Sequence, residues 1–121
     1  KAFNEAEAYD GPSIIIAYSH CINHGFNMAL GLEQQKKAVA SGHWPLYRYN
    51  PQLEDEGKNP LTIDSKDPSI SFADYALGEN RYRMLKMTNP AMADKLMAMS
   101  QKDVDKAWRF LKGRFQALEG K

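Results

Sequence analysis

An apolar run that ends abruptly in a polar turn constrains this chain more than any other feature. Ser13–Tyr18 contains the isoleucines Ile14, Ile15 and Ile16, and the polar turn that follows holds the only cysteine, Cys21. β-branched side chains pack well on a sheet that is covered on both faces, so the run predicts an interior strand. Loops beyond the carboxyl ends of strands in α/β sheets commonly hold ligands. The sequence therefore predicts an α/β protein with a functional loop at Cys21.

Composition narrows the class of protein. A chain of 121 residues suits one modest domain, and its 16 basic and 15 acidic side chains leave a net charge of +1. This balance argues against nucleic acid as a partner, because phosphate binding relies on a basic excess. A single cysteine cannot form an internal disulfide, which favours a reducing compartment and predicts the cytoplasm. No apolar run approaches the about 20 residues that span a membrane, so no membrane association is expected.

The first residues suggest that the chain is part of something longer. Lys1–Tyr9 has helical spacing without an initiator methionine, and Asp10-Gly11-Pro12 then stops the helix. An interior strand directly afterwards requires neighbouring strands from elsewhere. We therefore expect a C-terminal segment of a larger polypeptide.

The middle of the chain predicts one helix and a small strand pair. Asn27–Ala40 has an imperfect apolar face, and Gly42 is placed to close the helix in the left-handed conformation. Trp44–Pro51 is aromatic and alternating, which predicts a strand, and Leu61–Asp64 is a short second run that could pair with Leu46–Tyr49. We expect these two strands to pair with each other.

The last part of the chain predicts helices. Phe72–Lys86 has helical tendency with a break at Gly78. Asn89 is a typical N-cap, and Pro90 suits the first helical position. Apolar residues then recur at near-helical spacing to the end, which predicts a long amphipathic C-terminal helix.

Cys21 admits several chemistries. A lone cysteine is often a small buried hydrophobe. The thiol could instead pair with His20 or His24 as a nucleophile, or form half of a zinc site through the Cys-x-x-His spacing. It could also be one thiolate of an iron–sulfur cluster whose other ligands lie elsewhere. The residue pattern alone leaves these alternatives open.

Two further sets of residues are weaker candidates. The aromatic set is Trp44, Tyr47 and Tyr49, which suits a stacking surface or a half-buried strand. The basic set is Arg81, Arg83, Lys86 and Lys95, which suits docking of an acidic protein or an ordinary charged helix face. The ordinary structural interpretation is favoured for both.

Two long blocks carry a resemblance to a known family. Ala6–Gly25 and Gly42–Pro51, followed by Leu61–Ser65, closely resemble the last part of pyruvate:ferredoxin (flavodoxin) oxidoreductases. The similarity continues through Asn89 and Pro90 into the final helix, so it covers nearly the whole chain.

The resemblance implies a fold and an activity. Members of the family oxidatively decarboxylate pyruvate on thiamine diphosphate with magnesium, pass acetyl to coenzyme A and send electrons through 4Fe–4S clusters to flavodoxin or ferredoxin. The whole enzyme is expected to be a homodimer. Residues 1–121 correspond to the C-terminal segment of its thiamine-diphosphate-binding fold. Residues 1–43 would be the end of the sheet and the cluster-ligand loop, and residues 44–121 the strand pair and helices.

The resemblance also assigns one site residue. Cys21 corresponds to a ligand of the 4Fe–4S cluster nearest thiamine diphosphate, and a cubane needs four ligands. The partner cysteines, the magnesium and diphosphate motif and the pyruvate-binding residues are absent here, so this chain contributes no catalytic residue and is expected to be inactive alone. The alternative is a non-catalytic packing or interaction module with no cofactor of its own.

Overall fold

A computed structural model describes residues 1–119 of the chain. The helices are α1 (Ala2–Ala8), α2 (Gly31–Ala40), α3 (Gln52–Asp55), α4 (Phe72–Ala76), α5 (Asn80–Thr88) and α6 (Pro90–Glu119), and the strands are β1 (Tyr47–Tyr49) and β2 (Leu61–Ile63). Two single 3₁₀ turns, Ile22–His24 and Met28–Leu30, precede α2. The fold is a mixture of helix and strand in which the helices predominate. None of the helices within residues 1–119 is both long and apolar enough to cross a membrane.

The small strand pair is confirmed. β1 and β2 are antiparallel, with Tyr47 opposite Ile63 and Tyr49 opposite Leu61. The backbone N–H of Asp64 donates to the carbonyl oxygen of Leu46 at 2.8 Å, so the ladder continues beyond the strand ends. Both strands are shorter than the sequence predicts, although the N–H of Asn50 also donates to the carbonyl oxygen of Pro60 at 2.9 Å and so extends the pairing at the other end.

An arginine fork ties the first helix to this strand pair. Arg48 donates through Nε and Nη2 to the two carboxylate oxygens of Asp64 at 2.7 and 2.8 Å, and through Nη1 to Glu5 at 2.5 Å. These hydrogen bonds hold the pKa of Asp64 below its usual value and raise the pKa of Arg48. The directional bidentate pair fixes the Arg48 side chain beside Asp64, and the single hydrogen bond to Glu5 links α1 to β1.

Helix ends follow the sequence signals. Gly42 lies at φ +75° after α2, and the predicted break at Gly78 separates α4 from α5. Asn89 Oδ1 accepts a hydrogen bond from the N–H of Met92 at 3.2 Å, and Pro90 begins α6. Ser71 adds a reciprocal capping box with Asp74 at the start of α4. Capping side chains therefore mark the starts of α4 and α6, and a left-handed glycine follows α2.

The hydrophobic core lies where α2, α4 and α6 meet. Its buried members are Ala38, Phe72, Tyr75, Ala76 and Val104. Partly buried side chains surround them, namely Tyr18, Trp44, Tyr82 and Met97. Aromatic side chains are prominent in and around this core, and large rings of this kind bury much apolar surface.

The predicted interior strand is wrong for this structure. Ser13–Tyr18 has no regular secondary structure, and the side chains of Ile14 and Ile16 are 88% and 75% exposed. A strand needs a neighbour to pair its backbone groups, and the sheet in the described part of the chain contains β1 and β2 alone. The apolar run therefore lies uncovered until Tyr18, where the hydroxyl meets that of Tyr75 at 2.9 Å.

Candidate functional site

Cys21 lies exposed at the head of a tight turn, which we call the Cys21 turn (residues 21–25). The N–H of His24 donates to the carbonyl oxygen of Cys21, and the N–H of Gly25 donates to that of Ile22, both at 3.0 Å. Gly25 closes the turn at φ +69°, a left-handed conformation that suits glycine. The thiol is therefore presented to the surface on a hydrogen-bonded backbone.

The turn is anchored to the start of α5. The N–H of Asn80 donates to the carbonyl oxygen of Gly25 at 2.9 Å. A Cβ added at Gly25 would lie 2.7 Å from the Cβ of Asn80, so the two backbones approach too closely for any larger residue. Gly25 is thus required both for its conformation and for this contact.

A buried carboxylate lies beneath the turn. Glu79 is fully buried, and its Oε1 accepts a hydrogen bond from Gln34 Nε2 at 3.1 Å. Its Oε2 accepts from Arg81 Nε at 2.5 Å and lies 3.8 Å from His24 Nδ1. Gln34 also donates to the carbonyl oxygen of Tyr75 at 3.0 Å. This network joins α2, the end of α4, the start of α5 and the Cys21 turn.

The two histidines beside Cys21 are packed inward. His20 lies edge-on to Phe26 with ring centroids 4.6 Å apart, and a Cβ at Gly31 would lie 2.8 Å from its Nε2. The Nδ1 atoms of His20 and His24 are buried and have no hydrogen-bond partner within residues 1–119. Both rings therefore pack on the inner side of the turn. Neither ring forms a hydrogen bond to Cys21 that would activate the thiol as a nucleophile.

Aromatic rings extend the site into the core. His43 stacks on Tyr75 with ring centroids 5.0 Å apart, and Tyr18 packs against Trp44 at 5.1 Å. Burial lowers the pKa of His43, and the nearby Arg81 lowers it further. Burial also raises the pKa of Tyr75, with the hydrogen bond to Tyr18 adding to the effect. This region thus favours neutral side chains around the paired Glu79 and Arg81.

The structure places the weaker sequence candidates in different surroundings, and Trp44 packs against the core. Tyr47 and Tyr49 are about half exposed and line a shallow cavity with Phe110 and Leu118 of α6. Arg81, predicted as part of a basic docking face, is engaged with Glu79. The remaining basic residues keep exposed positions on α5 and α6.

Sequence reasoning missed Glu79, although one signal pointed to it. The residue follows Gly78 at the break between two helices, where chain direction changes and a side chain can turn inward. Its neighbours Tyr75 and Tyr82 are aromatic core residues, so the position lies on the buried side of both helices. An acidic residue at such a junction needs a partner, and Arg81 supplies it two residues later.

A groove of about 800 Å³ lies beside the segment that leads into the turn. Its lining includes Ile16, Ala17 and Tyr18 on one side and Leu32, Val39 and Trp44 on the other. The lining is largely apolar. Within residues 1–119 there is no group of three or more His, Cys, Asp or Glu side chains that could hold a metal ion.

The residues at the turn fit one thiolate ligand of a larger site. Cys21 is exposed and is the only cysteine, so further thiolates for a cluster would come from outside this chain. Within the turn, His24 and Gly25 use their N–H groups for turn hydrogen bonds. The N–H groups of Ile22 and Asn23 make no such bond within the described residues, so they would be free to donate to cluster sulfurs.

Comparison with curated proteins supports the resemblance read from the sequence. Pyruvate-flavodoxin oxidoreductase of a Nostoc species is 54% identical over 109 residues, which are 90% of this chain and 9% of the relative. Pyruvate:ferredoxin oxidoreductase of Moorella thermoacetica is 56% identical over 103 residues, 85% of this chain and 9% of the relative. Pyruvate-flavodoxin oxidoreductase of Klebsiella pneumoniae is 48% identical over 105 residues, again 85% and 9%. No protein-family model matches the chain.

These similarities confirm the predicted resemblance. Nearly the whole chain is related to one segment of pyruvate-flavodoxin and pyruvate:ferredoxin oxidoreductases, which are enzymes. The chain spans about a tenth of the length of these relatives.

Proposed function

We propose that this chain is the C-terminal segment of the thiamine-diphosphate domain of a pyruvate:flavodoxin or pyruvate:ferredoxin oxidoreductase. In this role it supplies Cys21 as one thiolate ligand of the 4Fe–4S cluster nearest thiamine diphosphate. The whole enzyme would convert pyruvate and coenzyme A to acetyl-coenzyme A and reduce flavodoxin or ferredoxin. The observation that carries the proposal is the exposed Cys21 at the head of its turn, in a chain whose relatives are named for this activity.

The residues of this chain would position the Cys21 thiolate and would take no direct part in the reaction of pyruvate. A bound cluster supplies one-electron transfer, and an exposed thiol on a hydrogen-bonded turn is suited to ligate iron as the thiolate. Gly25 keeps the turn close to α5, and the packed rings of His20 and Phe26 support it from below. The other cluster ligands, the diphosphate and magnesium site and the pyruvate site would come from the rest of the polypeptide.

Removing the thiol in the complete polypeptide tests this assignment. We expect Cys21→Ala to lose iron and sulfide from one cluster and to lose one reduced-cluster signal in electron paramagnetic resonance, because one of four ligands is gone. Acceptor reduction should fall sharply, whereas pyruvate binding should change little. Ser19→Ala is the matched control, since Ser19 lies in the same exposed loop and donates only to the carbonyl oxygen of His20 at 3.3 Å.

The alternative function is a packing or interaction module without a cofactor. The exposed isoleucines and the adjacent groove favour it, because an uncovered apolar surface marks a place where another part of a protein packs. If Cys21→Ala keeps every cluster signal, the full iron content and normal turnover, the ligand assignment is wrong and the packing role remains.

A further inference from the structure

Glu79 is a buried charged group that the proposed function does not use. Its side chain has no exposed area, and both carboxylate oxygens accept hydrogen bonds, from Gln34 at 3.1 Å and from Arg81 at 2.5 Å. Burying a charge is costly unless the charge is paired and hydrogen-bonded. Glu79 is both paired and hydrogen-bonded, through Gln34 of α2 and Arg81 of α5.

The contacts of the Cys21 turn lead to this carboxylate. Gly25 accepts a backbone hydrogen bond from Asn80 and packs against the side chain of the same residue. His24 places its buried Nδ1 3.8 Å from Glu79 Oε2, and this nitrogen has no hydrogen-bond partner within residues 1–119. Two adjacent residues at the start of α5 therefore hold the end of the turn. Asn80 donates a backbone hydrogen bond to Gly25, and Glu79 faces the imidazole of His24.

We propose that Glu79 is a positioning residue for the cluster ligand. Its carboxylate fixes the junction between α4 and α5, and this junction holds Gly25 and His24 and so directs Cys21. Its negative charge, paired with Arg81, also sets the electrostatic environment of the turn. The inference rests on the proposed role of Cys21 and adds a residue that does not touch the cluster.

The charge has a measurable consequence beyond folding. Reduction adds an electron to a cluster, and a nearby negative charge opposes it, so net charge and hydrogen bonding set cluster potentials. Glu79→Gln removes one negative charge, so Arg81 is no longer neutralised and the local charge rises by one unit. A more positive environment favours the reduced cluster. The midpoint potential of the cluster at Cys21 should therefore rise.

The experiment is a potentiometric titration of the complete polypeptide, purified without oxygen and followed by electron paramagnetic resonance. The signal lost in Cys21→Ala identifies the cluster to be measured. We expect Glu79→Gln to raise its midpoint potential and to leave the other cluster signals unchanged. The matched control is Glu33→Gln on α2, next to Gln34 in sequence, because the side chain of Glu33 is 62% exposed and pairs with Lys36 alone. The control should keep the parent potential.

A second variant tests positioning without changing charge. Gly25→Ala keeps Glu79 and Arg81 but forces a contact of 2.7 Å with Asn80, so iron should be lost from this cluster alone. If Glu79→Gln prevents folding, Gly25→Ala and Glu79→Asp take its place, and Glu79→Asp should keep the potential closer to the parent.

The results separate failure of the two proposals. If Cys21→Ala keeps all clusters, the ligand assignment fails. If Cys21→Ala loses a cluster while Glu79→Gln keeps the parent potential, or while Gly25→Ala keeps the parent iron content, only the positioning role fails. A lower melting temperature of Glu79→Gln with an unchanged potential likewise overturns it, because a purely structural carboxylate would behave in that way.

Discussion

Two apolar segments of this chain meet opposite environments. Ser13–Tyr18 contains three consecutive isoleucines, yet Ile14 is 88% exposed. Phe72–Ala76 is less hydrophobic and contains an aspartate, yet Phe72, Tyr75 and Ala76 are buried. The helical segment is covered within this chain, because α2 and α6 pack against its side chains. Its backbone groups form hydrogen bonds within the helix itself. The other segment needs a neighbouring strand, so hydrophobicity identifies what requires covering but not what covers it.

Hydrogen exchange should show the largest difference between these segments. No backbone hydrogen bond from the N–H groups of residues 14–17 is found within residues 1–119, whereas the N–H of Leu77 donates to Ala73 at 2.9 Å. We expect residues 14–17 to exchange at nearly the unprotected rate in this chain. Leu77 should exchange about a thousandfold more slowly, if opening its surroundings costs about 4 kcal/mol.

The same measurement in the complete polypeptide tests whether the exposure of residues 14–17 depends on a missing neighbour. If a neighbouring strand covers the isoleucines there, residues 14–17 should become as protected as Leu77, and the predicted interior strand would hold for the longer protein. Protection of these residues in the 121-residue chain alone would mean that another part of this chain covers them.

Truncating one side chain in each segment gives the next largest difference. Tyr75 is fully buried among His43, Phe72 and Tyr18, so Tyr75→Ala should lower the free energy of unfolding by about 3–5 kcal/mol. Ile14→Ala should change it by less than about 0.5 kcal/mol, because the side chain already faces water. Urea denaturation of the two variants measures both values. Equal losses would mean that the exposed segment packs against the core in solution.

Local chemistry explains why much of the fold could be predicted. Gly42, Gly78 and the Asn89–Pro90 pair mark helix ends through backbone conformation and capping, which act within a few residues. The strand pair followed from two short runs separated by a turn-rich segment. The prediction of an interior strand was wrong because a strand needs neighbouring strands that can lie far away in sequence. The apolar run of one strand does not indicate whether those neighbours are present.

The residues of the candidate site also fall into two groups, those recognisable from the sequence and those whose role depends on the fold. Cys21 and Gly25 were found because a lone thiol and a turn-closing glycine are visible in sequence. Glu79 was missed because its burial depends on Gln34, 45 residues earlier, and on the packing of α4 against α2. A carboxylate becomes notable only once the fold has removed it from water.

The smallest predicted effect is a pH dependence that belongs to the buried region alone. His43 stacks on Tyr75, and burial lowers its pKa below the ordinary value of 6.5, with Arg81 adding to the shift and Glu79 opposing it. The unfolded chain therefore binds a proton more readily than the folded chain. The stability that comes from neutral His43 is fully present above about pH 6.5 and is lost as the pH falls through that value toward the lower folded pKa.

His43→Phe keeps an aromatic ring of similar size but cannot titrate, so the decline in unfolding free energy between neutral and mildly acidic pH should become shallower. Because burial is the largest cause, the difference between the two proteins should persist at about 1 M salt, where charges are screened within about 3 Å. Denaturation at a series of pH values measures the two slopes, and identical slopes would show that His43 is accessible to water and that the aromatic core is looser than the structure describes.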